Sequence, residues 1–272
     1  MVCSGEKTKL LVTGTRANRR SKLNSIPNIE VCDDTITESS SEKLLGVVVN
    51  NNITWKNHLF GNHEEEGLLK NLSKRIGMLK RLRHHLPNDK FKQTVSALFT
   101  SKLCYCITVW GGVWNLRGEL NDIERKNMSI TKAEMRKLQV MQNKCMRMMT
   151  SSDRSTPTTL LLQISNQLSV HQTVAQQSVI QVFNVLRNKA PAHHHQRLFP
   201  HLQEQAGQPG PRAVTNLNSR VDFDKSLGRS SFFYQASKIW NAIPTSIKTA
   251  ETLQTFKTRC KKWTKDNITI QP

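Results

Sequence analysis

Ser41-Glu42-Lys43-Leu44-Leu45-Gly46-Val47-Val48-Val49-Asn50-Asn51-Asn52-Ile53-Thr54-Trp55-Lys56-Asn57-His58-Leu59 decides how the rest of the chain is read. Leu44 to Val49 is apolar and rich in β-branched residues, which predicts a strand buried on both faces or close to it. Asn50, Asn51 and Asn52 tolerate left-handed backbone and bond their own chain, so the turn is expected there. Ile53-Thr54-Trp55 then restarts a short strand, and the two form a hairpin.

Upstream, Lys9-Leu10-Leu11-Val12-Thr13 reads as a strand closed by Gly14. Ile29-Glu30-Val31 reads as another, turned at Cys32-Asp33-Asp34 and resumed at Thr35-Ile36. Downstream, the period becomes helical from Gly67. Leu69, Leu72, Ile76, Leu79 and Leu86 fall on one stripe, and Pro87 ends it. Asn88 or Asp89 caps a second helix that turns Phe91, Val95, Leu98 and Phe99 inward and runs on through an apolar tail, Leu103 to Trp110, to Gly111-Gly112. A third runs from about Lys132, with Met135, Leu138, Met141 or Gln142, Cys145 and Met148 on its inner face. Leu116 to Thr131 is polar and without period, hence a loop.

Thr156-Pro157 opens a further helix. Ser169 and Gln172 make a capping box before Val170, Val174, Val179, Phe183 and Leu186, and Pro191 terminates that helix. Gln203 to Arg229 is rich in Gly, Pro, Asn and Ser and reads as a mobile linker. An aromatic segment, Ser231 to Pro244, and a helix on Leu253, Phe256, Cys260 and Trp263 close the chain. The expected class is α+β, mostly α: a small antiparallel sheet, a helical bundle, and a C-terminal helical region. The expected divisions are residues 1–60, 61–152, 153–202, 203–230 and 231–272.

Forty Lys and Arg against twenty Asp and Glu give a formal charge of +20. That excess repels itself unless an anion is the usual partner, and nucleic acid fits better than a membrane surface. The longest apolar run, Leu103 to Trp110, is far too short to span a bilayer. Glu6, Lys7 and Lys9 stand where a secretory signal needs an apolar core, so the expected location is intracellular, in nucleus or cytoplasm. Six cysteines without a Cys-x-x-Cys pair read as small buried hydrophobes.

The main functional signal is the first helix. Lys70, Lys74, Arg75, Lys80, Arg81 and Arg83 occur there with no acid between Gly67 and Leu86. Lys70, Lys74 and Arg81 share the face opposite the leucines, because steps of three, four and seven return to one side. Such a face lacks the acidic i to i+4 partners of a merely solvated one, and phosphates relieve its repulsion. His84-His85 and His193-His194-His195 with His201 have no Cys or acidic ligand at a useful spacing, so no metal is expected. Trp110, Trp114, Trp240, Trp263, Phe232 and Phe233 are assigned mostly to core rather than to base stacking. No Walker loop, Ser-His-Asp signature or dinucleotide fingerprint is present.

Lys43-Leu44-Leu45-Gly46-Val47, a short turn, Thr54-Trp55-Lys56 and His58 resemble a segment of non-LTR (LINE-type) retrotransposon reverse transcriptases, between the palm's catalytic motifs and the thumb. Val109-Trp110-Gly111, Leu138-Gln139-Val140-Met141-Gln142-Asn143 and the phrase around Trp240-Asn241 and Pro244 extend the resemblance over most of Lys7 to Ile268. The resemblance implies the end of a palm in 1–60, a thumb in 61–152, and RNA and DNA, as primer–template duplex, for the partner. The family activity is RNA-directed DNA polymerisation with Mg²⁺. Val31-Cys32-Asp33-Asp34 is not expected to be its aromatic-x-Asp-Asp turn: Val replaces the aromatic, and in the family register the motif lies upstream of Lys7-Thr8-Lys9. No catalytic residue or cofactor is therefore expected, and the chain should bind nucleic acid without polymerising it. A domesticated nucleic-acid-binding adaptor and a fragment docking on an intact polymerase remain alternatives, and the oligomeric state is open.

Overall fold

The hairpin turns earlier than the asparagines suggest. The computed structural model describes residues 8–14, 19, 29–31, 34–63, 65–112, 130–187 and 232–268. Two hairpins are present, β1 (Ile29–Val31) with β2 (Asp34–Ile36) and β3 (Ser41–Leu44) with β4 (Val47–Asn50), each a separate two-stranded antiparallel sheet. In the second, Leu44 lies opposite Val47, so Leu45 and Gly46 make the connection, with φ of 47° and 80°. Positive φ at both central residues is what a two-residue hairpin turn needs to match the strand twist. Gly46 supplies it freely, whereas Leu45 is strained and 82% exposed. The expected burial of the whole run fails for the same reason: Leu44 and Leu45 form the exposed tip, while Val47 and Val48 are buried.

Asn50 organises the exit from the sheet instead. Its Nδ2 donates to Thr54 Oγ1 at 2.6 Å, and its Oδ1 accepts from the Thr54 backbone N–H at 2.8 Å. Ile53 takes φ of 54°, and Trp55 leads into a short helix, α1 (Lys56–Phe60), where a second strand was expected. α1 packs on β4 and, with buried Trp55, His58 and Leu59, covers the face that a longer sheet would have covered. The expected strand Lys9–Thr13 is reduced to a single parallel bridge from Leu10 to Glu38. In β1–β2, Val31 pairs with Asp34; Cys32 and Asp33 lie outside the described residues.

The chain divides into two compact units, residues 1–71 and 72–272. The first contains the two hairpins and α1. Helix α2 (Leu68–Leu82) begins in the first unit and ends in the second, stopping one turn before Pro87 so that Leu86 falls outside it. Within the second unit α2 fully buries Leu72 and Leu79, while Ile76 on the expected stripe is only half-buried.

The second expected helix is broken. α3 (Asn88–Val95) passes through a π-helical turn, Ser96–Thr100, into α4 (Ser101–Cys104). The chain then bends at Tyr105 and Cys106, the latter at φ of 50°, and restarts as α5 (Ile107–Trp110). Burial of Trp110 accounts for the break: its indole N–H donates to the Tyr105 carbonyl at 3.0 Å, a carbonyl that a continuous helix would use internally. Gly111 follows because a Cβ there would lie 2.7 Å from Val174 Cγ2.

The remaining helices among the described residues are α6 (Lys132–Thr150), α7 (Thr158–Ile164), α8 (Val170–Leu186), α9 (Phe232–Ala242), α10 (Thr245–Lys248) and α11 (Leu253–Asn267). α8 is the hub, packing against α5, α6, α9 and α11. Its residues Val170, Val174, Val179, Ile180, Val182, Phe183 and Val185 are buried around most of its circumference, with Gln181 on the exposed side. Phe183 stacks on Phe256 of α11 with centroids 4.3 Å apart, and Trp240 of α9 lies 5.9 Å from the same ring. The Ser169–Gln172 capping box forms as expected, and Thr131 with Glu134 makes a second one at α6. Pro157 sits immediately before α7 as its N-cap, not as its first helical residue.

The Leu-Gln-x-x-Gln-Asn phrase forms a buried amide network. Gln139 Nε2 donates to Gln142 Oε1 and Asn143 Oδ1, each at 2.9 Å, and Gln139 Oε1 accepts the Val170 N–H at 2.9 Å. Gln142 Nε2 reaches the Leu168 carbonyl and Asn143 Nδ2 reaches Thr158 Oγ1, both at 2.8 Å. These bonds fix the starts of α7 and α8 against α6. The architecture is α+β and mostly α, with its largest core in the second unit.

Candidate nucleic-acid interface

Helix α2 separates its charges by the physics that folds it. Burial of Leu72 and Leu79 turns the opposite face outward, and Lys70, Lys74 and Arg81 are exposed there, with Lys80 exposed at the edge. Lys70 belongs to the first unit and lies 3.8 Å from Glu66, an acidic partner one turn back that stands just outside the acid-free stretch. Lys74, Lys80 and Arg81 are the exposed cations of α2 within the second unit.

Arg75 and Arg83 are built into the fold. Arg75 Nη1 donates to the Leu98 carbonyl at 2.7 Å. Arg83 Nε donates to the Met148 carbonyl at 2.8 Å and Nη2 to Ser151 Oγ at 3.2 Å, while its guanidinium lies 5.2 Å from the Phe91 ring centroid. Both are half-buried, and neither bond was legible beforehand because the partners lie 23 and 65 residues away. The six basic residues thus divide into an outward set and a pair that ties α2 to its neighbours.

Gly77 lies on the outer face between Lys74 and Arg81, and a Cβ there would touch nothing within 4 Å. A mid-helix glycine costs about 0.5–1 kcal/mol against alanine, and here no packing explains it. It leaves a shallow depression between two cations.

A second basic surface comes from α11. Lys257 and Lys262 are exposed, but Lys261 and Lys265 donate to the Asn166 carbonyl and side chain, each at 2.7 Å, and Arg259 donates to the Ser246 carbonyl at 3.0 Å. Burial, with Lys265 nearby, lowers the Lys261 pKa below the ordinary lysine value. Much of this charge is spent on loop carbonyls.

Trp110 and Trp240 are fully buried, Trp55 nearly so, and Trp263 half-buried, so these aromatics serve the core; Trp114 lies outside the described residues. Asp34 begins β2. Lys9 is exposed, and Lys7 lies outside the described residues. Among the described residues no group of three or more His, Cys, Asp and Glu could hold a metal ion; His84 and His85 are exposed, and His193, His194, His195 and His201 lie outside them. No helix among the described residues is long and apolar enough to cross a membrane. No family model, curated protein or solved structure matches this chain.

Proposed function

We propose that the chain binds nucleic acid through the outer face of α2, with Lys74, Lys80 and Arg81 on phosphates. The observation that carries this reading is that Lys74 and Arg81 are exposed on one face, with Lys80 exposed at its edge, on a helix that buries Leu72 and Leu79 on the other. The net charge of +20 and the depression at Gly77, where a sugar–phosphate backbone can approach closely, support it. The resemblance to reverse-transcriptase thumbs suggests an RNA or DNA primer–template duplex for the partner, a retrotransposon origin, and a nuclear or cytoplasmic location. On this reading the chain by itself holds a duplex and does not extend it.

Phosphate contacts carry no base identity, so binding is salt-steep and indifferent to sequence. Each contact contributes about −0.9 to the slope of log K against log salt on duplex DNA. Replacing Lys74 and Arg81 by Gln flattens the slope by roughly two units, at little cost in helix propensity. Lys257→Gln with Lys262→Gln is the matching change on α11. An unchanged slope in the α2 pair, with a flatter one in the α11 pair, overturns the assignment.

A further inference from the structure

Where α2 ends, a cavity of about 530 Å³ is lined by Arg83, His84, Leu86, Arg147, Met148 and Ser151. It lies wholly within the second unit, beside the last turn of α6. Its polar side chains are two arginines, a histidine and a serine, with no acid in the lining, and neither arginine has an ion-pair partner among the described residues. Arg83 spends its Nε and one Nη2 hydrogen on Met148 and Ser151. Arg147 spends the equivalent groups on the carbonyls of Asp153 and Thr156, each at 3.1 Å. A guanidinium has five N–H donors, so about three remain on each. Bonds to the carbonyls of Met148, Asp153 and Thr156 explain where the two guanidiniums are held, but not their remaining donors, which no acid among the described residues takes up.

We infer that this cavity takes a phosphate monoester, the phosphate on Arg83, Arg147 and His84 and the attached nucleoside against Leu86 and Met148. A monoester offers three terminal oxygens and up to two charges, against two oxygens and one charge for a phosphodiester within a strand, so it uses more of these donors. The volume lies within the ordinary range for small-molecule sites and exceeds what a bare phosphate requires. The monoester is either the end of a nucleic-acid strand or a free nucleotide. The strand-end source rests on the proposal that α2 contacts nucleic acid; the phosphate chemistry does not.

The test uses the full chain and calorimetric titration with adenosine 5′-monophosphate and with adenosine, at about 0.15 M salt. The monophosphate should bind at least about tenfold more tightly, the usual scale of a charge-assisted bond to phosphate. His84→Gln and Arg147→Lys should each remove most of that difference; His84 is exposed, so its variant tests the site without threatening folding. Equal binding of the two ligands, including none by either, overturns the inference, and so does a preference that survives both variants. A single strand with a 5′-phosphate binding more tightly than its 5′-hydroxyl twin identifies the strand end; equality there, with monophosphate selectivity intact, identifies the free nucleotide. Failure of the α2 reading shows separately, as an unchanged salt slope in the Lys74 and Arg81 variant on an unphosphorylated duplex.

Discussion

Gln172 is the residue whose loss should loosen the second unit most for its size. It is 2% exposed at the start of α8. Its Nε2 donates to the Ile268 carbonyl at 2.9 Å, and its Oε1 accepts the Ser169 N–H at 3.0 Å. The nearby Thr264 carbonyl, at 3.5 Å, also receives the Ile268 N–H at 3.0 Å and so keeps a partner without Gln172. Gln172→Met preserves length and volume but leaves two buried groups unpaired, the Ser169 N–H and the Ile268 carbonyl. At about 1–3 kcal/mol for each orphan, the expected loss is about 2–6 kcal/mol. Gln176, one turn along, is the internal control: it is half-buried and donates to the Lys257 carbonyl at 3.3 Å in a solvent-exposed bond, so Gln176→Met should cost about 0.5 kcal/mol or less. Urea denaturation reads both, as a lower midpoint at unchanged slope. Native-state hydrogen exchange should show the Ser169 amide newly labile in the first variant alone. If Gln172→Met costs no more than Gln176→Met, the link between α8 and the end of α11 does not hold the unit together.

Three further outcomes are expected. Leu79→Ala should cost about 2–5 kcal/mol, and Ile76→Ala distinctly less, because Ile76 is only half-buried; equal losses refute the placement of the α2 stripe. Burial pushes the Cys145 thiol from 9.0 up to about 12 and those of Cys104 and Cys260 up to about 11. Between pH 9 and 11 the unfolded chain gives up those protons while the folded chain keeps them, so stability is full below 9 and falls as pH rises; Cys145→Ala should make that alkaline fall shallower, and an unchanged profile refutes it. Primer extension by the chain alone, with Mg²⁺ and an RNA template, should give no product, and activity abolished by Asp33→Ala with Asp34→Ala would refute the exclusion of that pair from catalysis.

Sequence alone determined what depends on near neighbours. The helical period from Gly67, the capping box at Ser169, the inward positions Met135, Leu138, Cys145, Phe256 and Cys260, and the outward set Lys74 and Arg81 all follow from periods and caps within a few turns. The tertiary structure decided whatever a distant partner settles. The turn moved to Leu45-Gly46 because α1 covers β4, leaving the two leucines at the hairpin tip. The second helix broke at Cys106 because Trp110 and Gly111 seat against α8, a helix some sixty residues later in the chain. Arg75 and Arg83 left the outer face of α2 because the carbonyls of Leu98 and Met148, invisible to helical periodicity, hold their guanidiniums inward. The pocket at Arg83 and Arg147 had no linear signal at all, since each guanidinium is aimed by backbone carbonyls whose positions exist only once α6 ends. Periodicity fixes which way a side chain faces from its own helix; only packing fixes what it meets there.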